Sequence, residues 1–119
     1  MRNFKELLVW GKAHDVTLDI YRVTKSFPKA ETYGLTSQLR RASSSVRANI
    51  AEACGRKSEA EFARFLQIAT GSASEVEYHL LLARDLEFIE PEKYDRLNIQ
   101  INEVKKMLNT FLQKLRAKC

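Results

Sequence analysis

A chain of 119 residues suits one domain, 1–119, large enough for a real core, and its 45% apolar and 29% charged residues exclude a disordered tail or a fibrous repeat. The net charge of +5, from 20 basic and 15 acidic residues, is too small to demand nucleic acid as a partner. It admits RNA, DNA or an acidic protein, and a ring of copies would multiply it.

Four Gly and two Pro among many Leu, Ala, Glu, Lys and Arg favour helices. The two cysteines, Cys54 and Cys119, form no CxxC pair, so neither a disulfide framework nor a metal site is expected. Free thiols fit a reducing cytoplasm. The opening MRNFKELLVWGKAHD lacks the long apolar run of a signal peptide, and no window reaches about 18 apolar residues. The expectation is a cytoplasmic protein without membrane contact.

The first helix is predicted from about Leu7 to Ser26. Val9, Ala13, Val16, Ile20, Val23 and Phe27 alternate spacings of four and three, a heptad seam. Trp10, Thr17 and Tyr21 add a second stripe, so this helix has more than one side to bury. Pro28 ends it, because the residue before a proline is pushed out of the helical region. KAETYG follows as a short loop.

The second helix spans Gly34 to Arg56, with Leu35, Leu39, Ala42, Val46, Ile50 and Ala53 on a narrow face. Ala42, Ser45 and Ala53 are small enough for a neighbouring helix to approach closely. Arg40 and Arg47 stand one heptad apart on what reads as an outer face. Gly55 is the expected stop, in the left-handed conformation.

Ser58 and Glu61 form a capping box at the start of the third helix. Its stripe of Phe62, Phe65, Leu66, Ala69, Ala73, Val76, Leu80 and Ala83 runs to about Leu86. Gly71-Ser72-Ala73-Ser74 reads as a close helix crossing. The fourth helix begins at Pro91, a favoured first-turn residue, and buries Leu97, Ile101, Val104, Leu108, Phe111 and Leu115. Its tail, KLRAK, sets cations at the negative end of the helix dipole. Short connections make antiparallel neighbours, so the fold class is all-α, an up-down-up-down four-helix bundle.

Three runs carry a resemblance: VWGKAHDVTLDIYRVTKSFP, YGLTSQLRRASSSVRANIAEACGR and FARFLQIATGSASEVEYHLLLARDL. They resemble the bacterial four-helix-bundle family of proteins encoded in intervening sequences of large-subunit ribosomal RNA genes. The accessory variability protein of diversity-generating retroelements is a distant member. The resemblance covers nearly the whole chain. It implies a small, basic, non-enzymatic protein that assembles as a barrel-shaped homopentamer. For the retroelement member it implies a reverse transcriptase as partner and nucleic-acid binding. The chain departs from the family where Arg47 replaces a usual proline and Ala53 a usual glycine.

No set of residues converges on catalysis, and no cofactor or metal is expected. His14 and His79 fall on different helices, and His79 has only Glu75 at a spacing of four. Glu75 and Glu77 diverge by about 200° around a helix. Glu77 reads instead as an ion-pair partner for an arginine, Arg40 or Arg41. Ser43, Ser44 and Ser45 lack an SxxK lysine or a nearby histidine. The isolated glycines make no phosphate-binding loop.

Two kinds of binding residue remain. Arg40, Arg47, Arg56, Lys57, Lys105 and Lys114 are the candidate nucleic-acid contacts, with Lys106 and Lys118 beside them. Trp10, Tyr21, Ile68 and Leu82, with Ile99 and Leu112, exceed the needs of one bundle seam and are the candidate oligomer interface. Two readings stay open: an oligomeric bundle that binds nucleic acid or a nucleic-acid enzyme, and a protein-docking scaffold with no nucleic-acid role.

Overall fold

The structure is a computed structural model that describes residues 2–117. Lys118 and Cys119, named above, lie outside the described residues. Four α-helices follow a short 3-10 turn at Phe4–Glu6: α1 (Leu8–Thr24), α2 (Leu35–Cys54), α3 (Glu59–Asp85) and α4 (Pro91–Ala117). A second 3-10 turn, Lys29–Glu31, occupies the predicted loop after Pro28. Among the described residues there is no strand, and the fold is all-α as the sequence implies.

Each helix packs on its neighbours in the order α1, α2, α3, α4 and back to α1, while α1 and α3 do not meet. This makes an elongated bundle of 46 × 22 × 20 Å. The predicted seams form the core: Val16, Ile20, Leu39, Val46, Ile50, Leu66, Val76, Leu80, Leu97, Ile101, Val104 and Leu108 are all essentially inaccessible. Two positions read as outer belong inside. Thr17 is buried and its Oγ1 donates to the carbonyls of Ala13 and Ser43, which ties α1 to α2. Leu112 is also buried.

The small-residue positions allow α2 and α3 to cross closely, and the Ser45 and Ser72 hydroxyls meet at 2.9 Å. At the start of α3 the Ser58 hydroxyl accepts from the Glu61 N–H at 3.1 Å, as the capping box requires. At α2 the Glu31 carboxylate accepts from the Leu35 N–H at 3.0 Å and serves a first-turn donor that no Ser or Asp is placed to take.

The left-handed stop is not at Gly55. Gly55 is right-handed, with φ −86°, because its N–H and that of Arg56 reach back three residues to Glu52 and Ala53 and tighten the last turn. The left-handed residue is Glu87, at φ 62°. There the Phe88 N–H bonds to Ala83 and the Glu87 N–H to Arg84, a Schellman closure of α3, and Phe88 packs on Phe27. A side chain in this conformation costs about 1 kcal/mol relative to glycine. Glu87→Gly is therefore expected to stabilise the fold by roughly 0.5–1 kcal/mol, readable in a urea melt.

Candidate binding surfaces

The first surface runs along α1 and α2. Four turns of α1 present Trp10, His14, Thr17 and Tyr21 in a line toward α2. Phe4 meets Trp10 edge-on at 5.0 Å, and the Trp10 and His14 rings stack at 5.0 Å with 8° between their planes. The Arg47 guanidinium then lies 3.3 Å from His14 Nδ1. Two turns away the Arg40 guanidinium sits 4.8 Å above the Tyr21 ring, donates to Thr24 Oγ1 at 2.9 Å and reaches the Tyr21 carbonyl. Arg40 and Arg47 are thus half-buried against α1 and do not project from an outer face. A helical wheel of α2 places them off its apolar stripe, but α1 packs on that side and their long stems lie across it. Residues assigned from sequence to two separate roles, Trp10 and Tyr21 to assembly and Arg40 and Arg47 to nucleic acid, form one aromatic and cationic strip. His14 is the link between them, and its value was hidden because packing brings α2 to it.

The other basic candidates are scattered. Arg56 pairs with Glu52 and lies 4.6 Å over the Phe65 ring. Lys57 is exposed in the α2–α3 connection. Lys114 is exposed on α4. Lys105 donates to Glu77 at 2.8 Å, so Glu77 pairs with a lysine of α4 and not with Arg40 or Arg41. Glu77 faces α4, across the bundle from both arginines.

The hydrogen bond from Lys105, with help from Asn102, holds the Glu77 carboxyl below its ordinary value. A carboxyl depressed in the folded state contributes stability above the unfolded value, near 4.5, and loses it as pH falls through the folded value. Glu77→Gln is therefore expected to cost about 0.5–1 kcal/mol at neutral pH, screened by its partial exposure. The difference from wild type should shrink in urea melts as the pH falls below the unfolded value near 4.5.

The second surface consists of matching stripes on α1 and α3. On α1 it is Leu8, Gly11, Asp15 and Leu18; on α3 it is Ile68, Gly71, Glu75 and Tyr78. Each follows spacings of three, four and three. Leu8 is 69% exposed, Ile68 42% and Tyr78 60%. A Cβ built at Gly11 or Gly71 would meet nothing within 4 Å. Neither glycine is needed by the single bundle, although each weakens its helix by about 1 kcal/mol relative to alanine. Leu82 is half-buried against the core, and Ile99 on α4 is 67% exposed. The α1 stripe is not legible from periodicity, because Gly11 and Asp15 interrupt its apolar residues Leu8 and Leu18.

The candidates for chemistry stay apart. His79 is buried, 3.8 Å from Glu75, with its Nδ1 unpartnered. Ser43 bonds the Arg40 carbonyl, and Ser45 bonds Ser72. A polar groove between α2 and α3 sets Arg41 and Gln38 opposite Glu75 and Ser72. Among the described residues no three His, Cys, Asp or Glu side chains are grouped to hold a metal ion. No described helix is long and apolar enough to cross a membrane. Cys54 is buried, which pushes its thiol up from the ordinary value.

Comparison with known proteins agrees with this architecture. The chain is similar to a crystal structure described as a protein of unknown function from the S23 ribosomal protein family, from Bacteroides thetaiotaomicron VPI-5482. The two share 30% identity and a TM-score of 0.80, over 88% of this chain and 98% of that one. No curated protein matches the chain. The family model for the 23S rRNA-intervening sequence protein matches residues 5–110. With a bundle of the same form and a match over nearly its whole length, the chain belongs to the 23S rRNA-intervening sequence protein family.

Proposed function

We propose that this protein is a non-catalytic, self-associating bundle that holds nucleic acid along the α1–α2 strip. The observation that carries the reading is the interleaving of aromatic rings with guanidinium groups: Trp10, His14 and Arg47 in line, then Tyr21 beneath Arg40. Rings of this kind stack bases, and arginines beside them contact phosphates without regard to sequence. Self-association draws support from the exposed apolar side chains around Gly11 and Gly71, which a second helix is able to approach closely. A contact between the α1 stripe of one copy and the α3 stripe of the next joins unlike surfaces, and such a contact makes a ring where its rotation closes. A pentamer is the ring that the family likeness suggests. Such a ring repeats the strip and the +5 charge of each chain.

Fluorescence anisotropy with a labelled single-stranded RNA and a labelled DNA duplex, read over a salt series, tests this. The expected result is binding at low salt that weakens linearly on logarithmic axes. Absence of binding at low salt removes the nucleic-acid role. The second reading, a docking module for another protein, is favoured by a separate cleft at the end of α4.

A further inference from the structure

The last turns of α4 carry two parallel rows. Lys106, Thr110 and Lys114 stand four residues apart, as do Met107, Phe111 and Leu115, so at 3.6 residues per turn the rows run side by side. Arg2 closes the far side. Its guanidinium lies 4.0 Å from the centre of the Phe62 ring, which packs on Phe111 at 5.3 Å. The result is a cleft of about 570 Å³ with an apolar floor and three cations around it.

One feature sets this cleft apart from the other clefts of the surface. Among the described residues no carboxylate lines it, whereas a Glu or Asp lines the clefts beside Arg41, Lys12, Arg84 and Arg22. Among the described residues Arg2, Lys106 and Lys114 enter no ion pair, as is true of most of the other Lys and Arg side chains. Glu103, one turn before Lys106 and Met107, is taken by Lys12 of α1. Among the described residues, Arg2, Lys106 and Lys114 thus face no carboxylate across the cleft.

We propose that this cleft docks an acidic amphipathic helix of another protein. Apolar side chains of that helix, at spacings of three and four, would lie on Met107, Phe111 and Leu115. Its Glu or Asp side chains would face Lys106, Lys114 and Arg2. Charge complementarity selects the occupant. A nucleic-acid backbone would satisfy the cations but leave the apolar floor against phosphate and sugar. A helix with one greasy and one acidic side matches both rows at once. The cleft shares no residue with the α1–α2 strip, so its fate is independent of the nucleic-acid reading.

The test uses the full chain and a fluorescein-labelled stapled helix of about four turns, with leucines on one face and glutamates flanking them. Saturable binding is expected, and the same helix with lysine for glutamate should bind at least roughly tenfold more weakly. Lys106→Glu with Lys114→Glu should weaken the acidic helix by roughly tenfold or more, while Lys25→Glu with Lys93→Glu leaves it within about twofold. Met107→Ser should weaken it at unchanged charge, which separates docking from simple attraction. The proposal is overturned if the acidic helix fails to saturate, or if the basic helix binds equally. It also fails if the Lys106→Glu, Lys114→Glu protein, shown folded by circular dichroism, binds as wild type does. Displacement of the helix by single-stranded RNA from wild type but not from that double variant assigns the cleft to nucleic acid. A fall in assembly mass in the double variant assigns it to a second copy. Either result counts against the proposal.

Discussion

Gly71→Leu is expected to leave the bundle folded and to abolish self-association. Gly71 lies mid-helix on the exposed side of α3, and a Cβ there meets nothing within 4 Å. Within one chain the leucine therefore fits, and it removes the roughly 1 kcal/mol that glycine costs a helix interior. Between chains the outcome reverses. A helix that approaches at the glycine would meet a side chain where it now meets backbone, and the surrounding Ile68 and Tyr78 could no longer be covered. Light scattering should report a single-chain mass for Gly71→Leu, with helical content unchanged by circular dichroism. Association should weaken by roughly tenfold or more, in line with the 1–3 kcal/mol that overpacking a close contact costs. Lys93→Leu, an exposed leucine at the start of α4, should keep the wild-type mass. An unchanged mass for folded Gly71→Leu removes α3 from the interface.

The second large effect is expected at the α1–α2 strip. Replacing Arg40 and Arg47 together with alanine should remove two phosphate contacts per chain and lower the salt slope of duplex binding by roughly 2. Arg47 is the more informative of the two, because its Nε is buried without a partner and its outer nitrogen touches His14. Trp10 supplies a direct readout. It is the one tryptophan of the chain, and it stacks on His14 at the head of the strip. Single-stranded RNA should quench its emission, and the quench should vanish in the double variant. If emission responds to protein dilution and not to RNA, the strip is an assembly surface and the nucleic-acid role moves elsewhere.

The helices were legible in the sequence for a plain reason. Each apolar stripe repeats every three or four residues without interruption, and Pro28, Ser58 and Pro91 mark turns that have one physical reading. The core followed directly, since Leu39, Leu66, Ile101 and Leu108 can face only inward. Features that depend on a neighbour's position were not legible. Gly55 is a good left-handed residue, but the short link to α3 closes with bonds to Glu52 and Ala53, and Glu87 takes the left-handed role instead. Periodicity could not pair Glu77 with Lys105, because the register between α3 and α4 is set by packing along the whole bundle. Nor could it show that α1 lies across Arg40 and Arg47. The family was legible from three runs of residues, and the match over residues 5–110 bears that out.

The proposed assembly requires that further copies hide the greasy residues outside the bundle. Multi-angle light scattering of the wild-type protein at micromolar concentration tests this most directly. A mass several-fold above the 13.7 kDa of one chain is the expected result. A steady mass of 13.7 kDa across the dilution range, with Ile68, Tyr78 and Ile99 left in water, would contradict it.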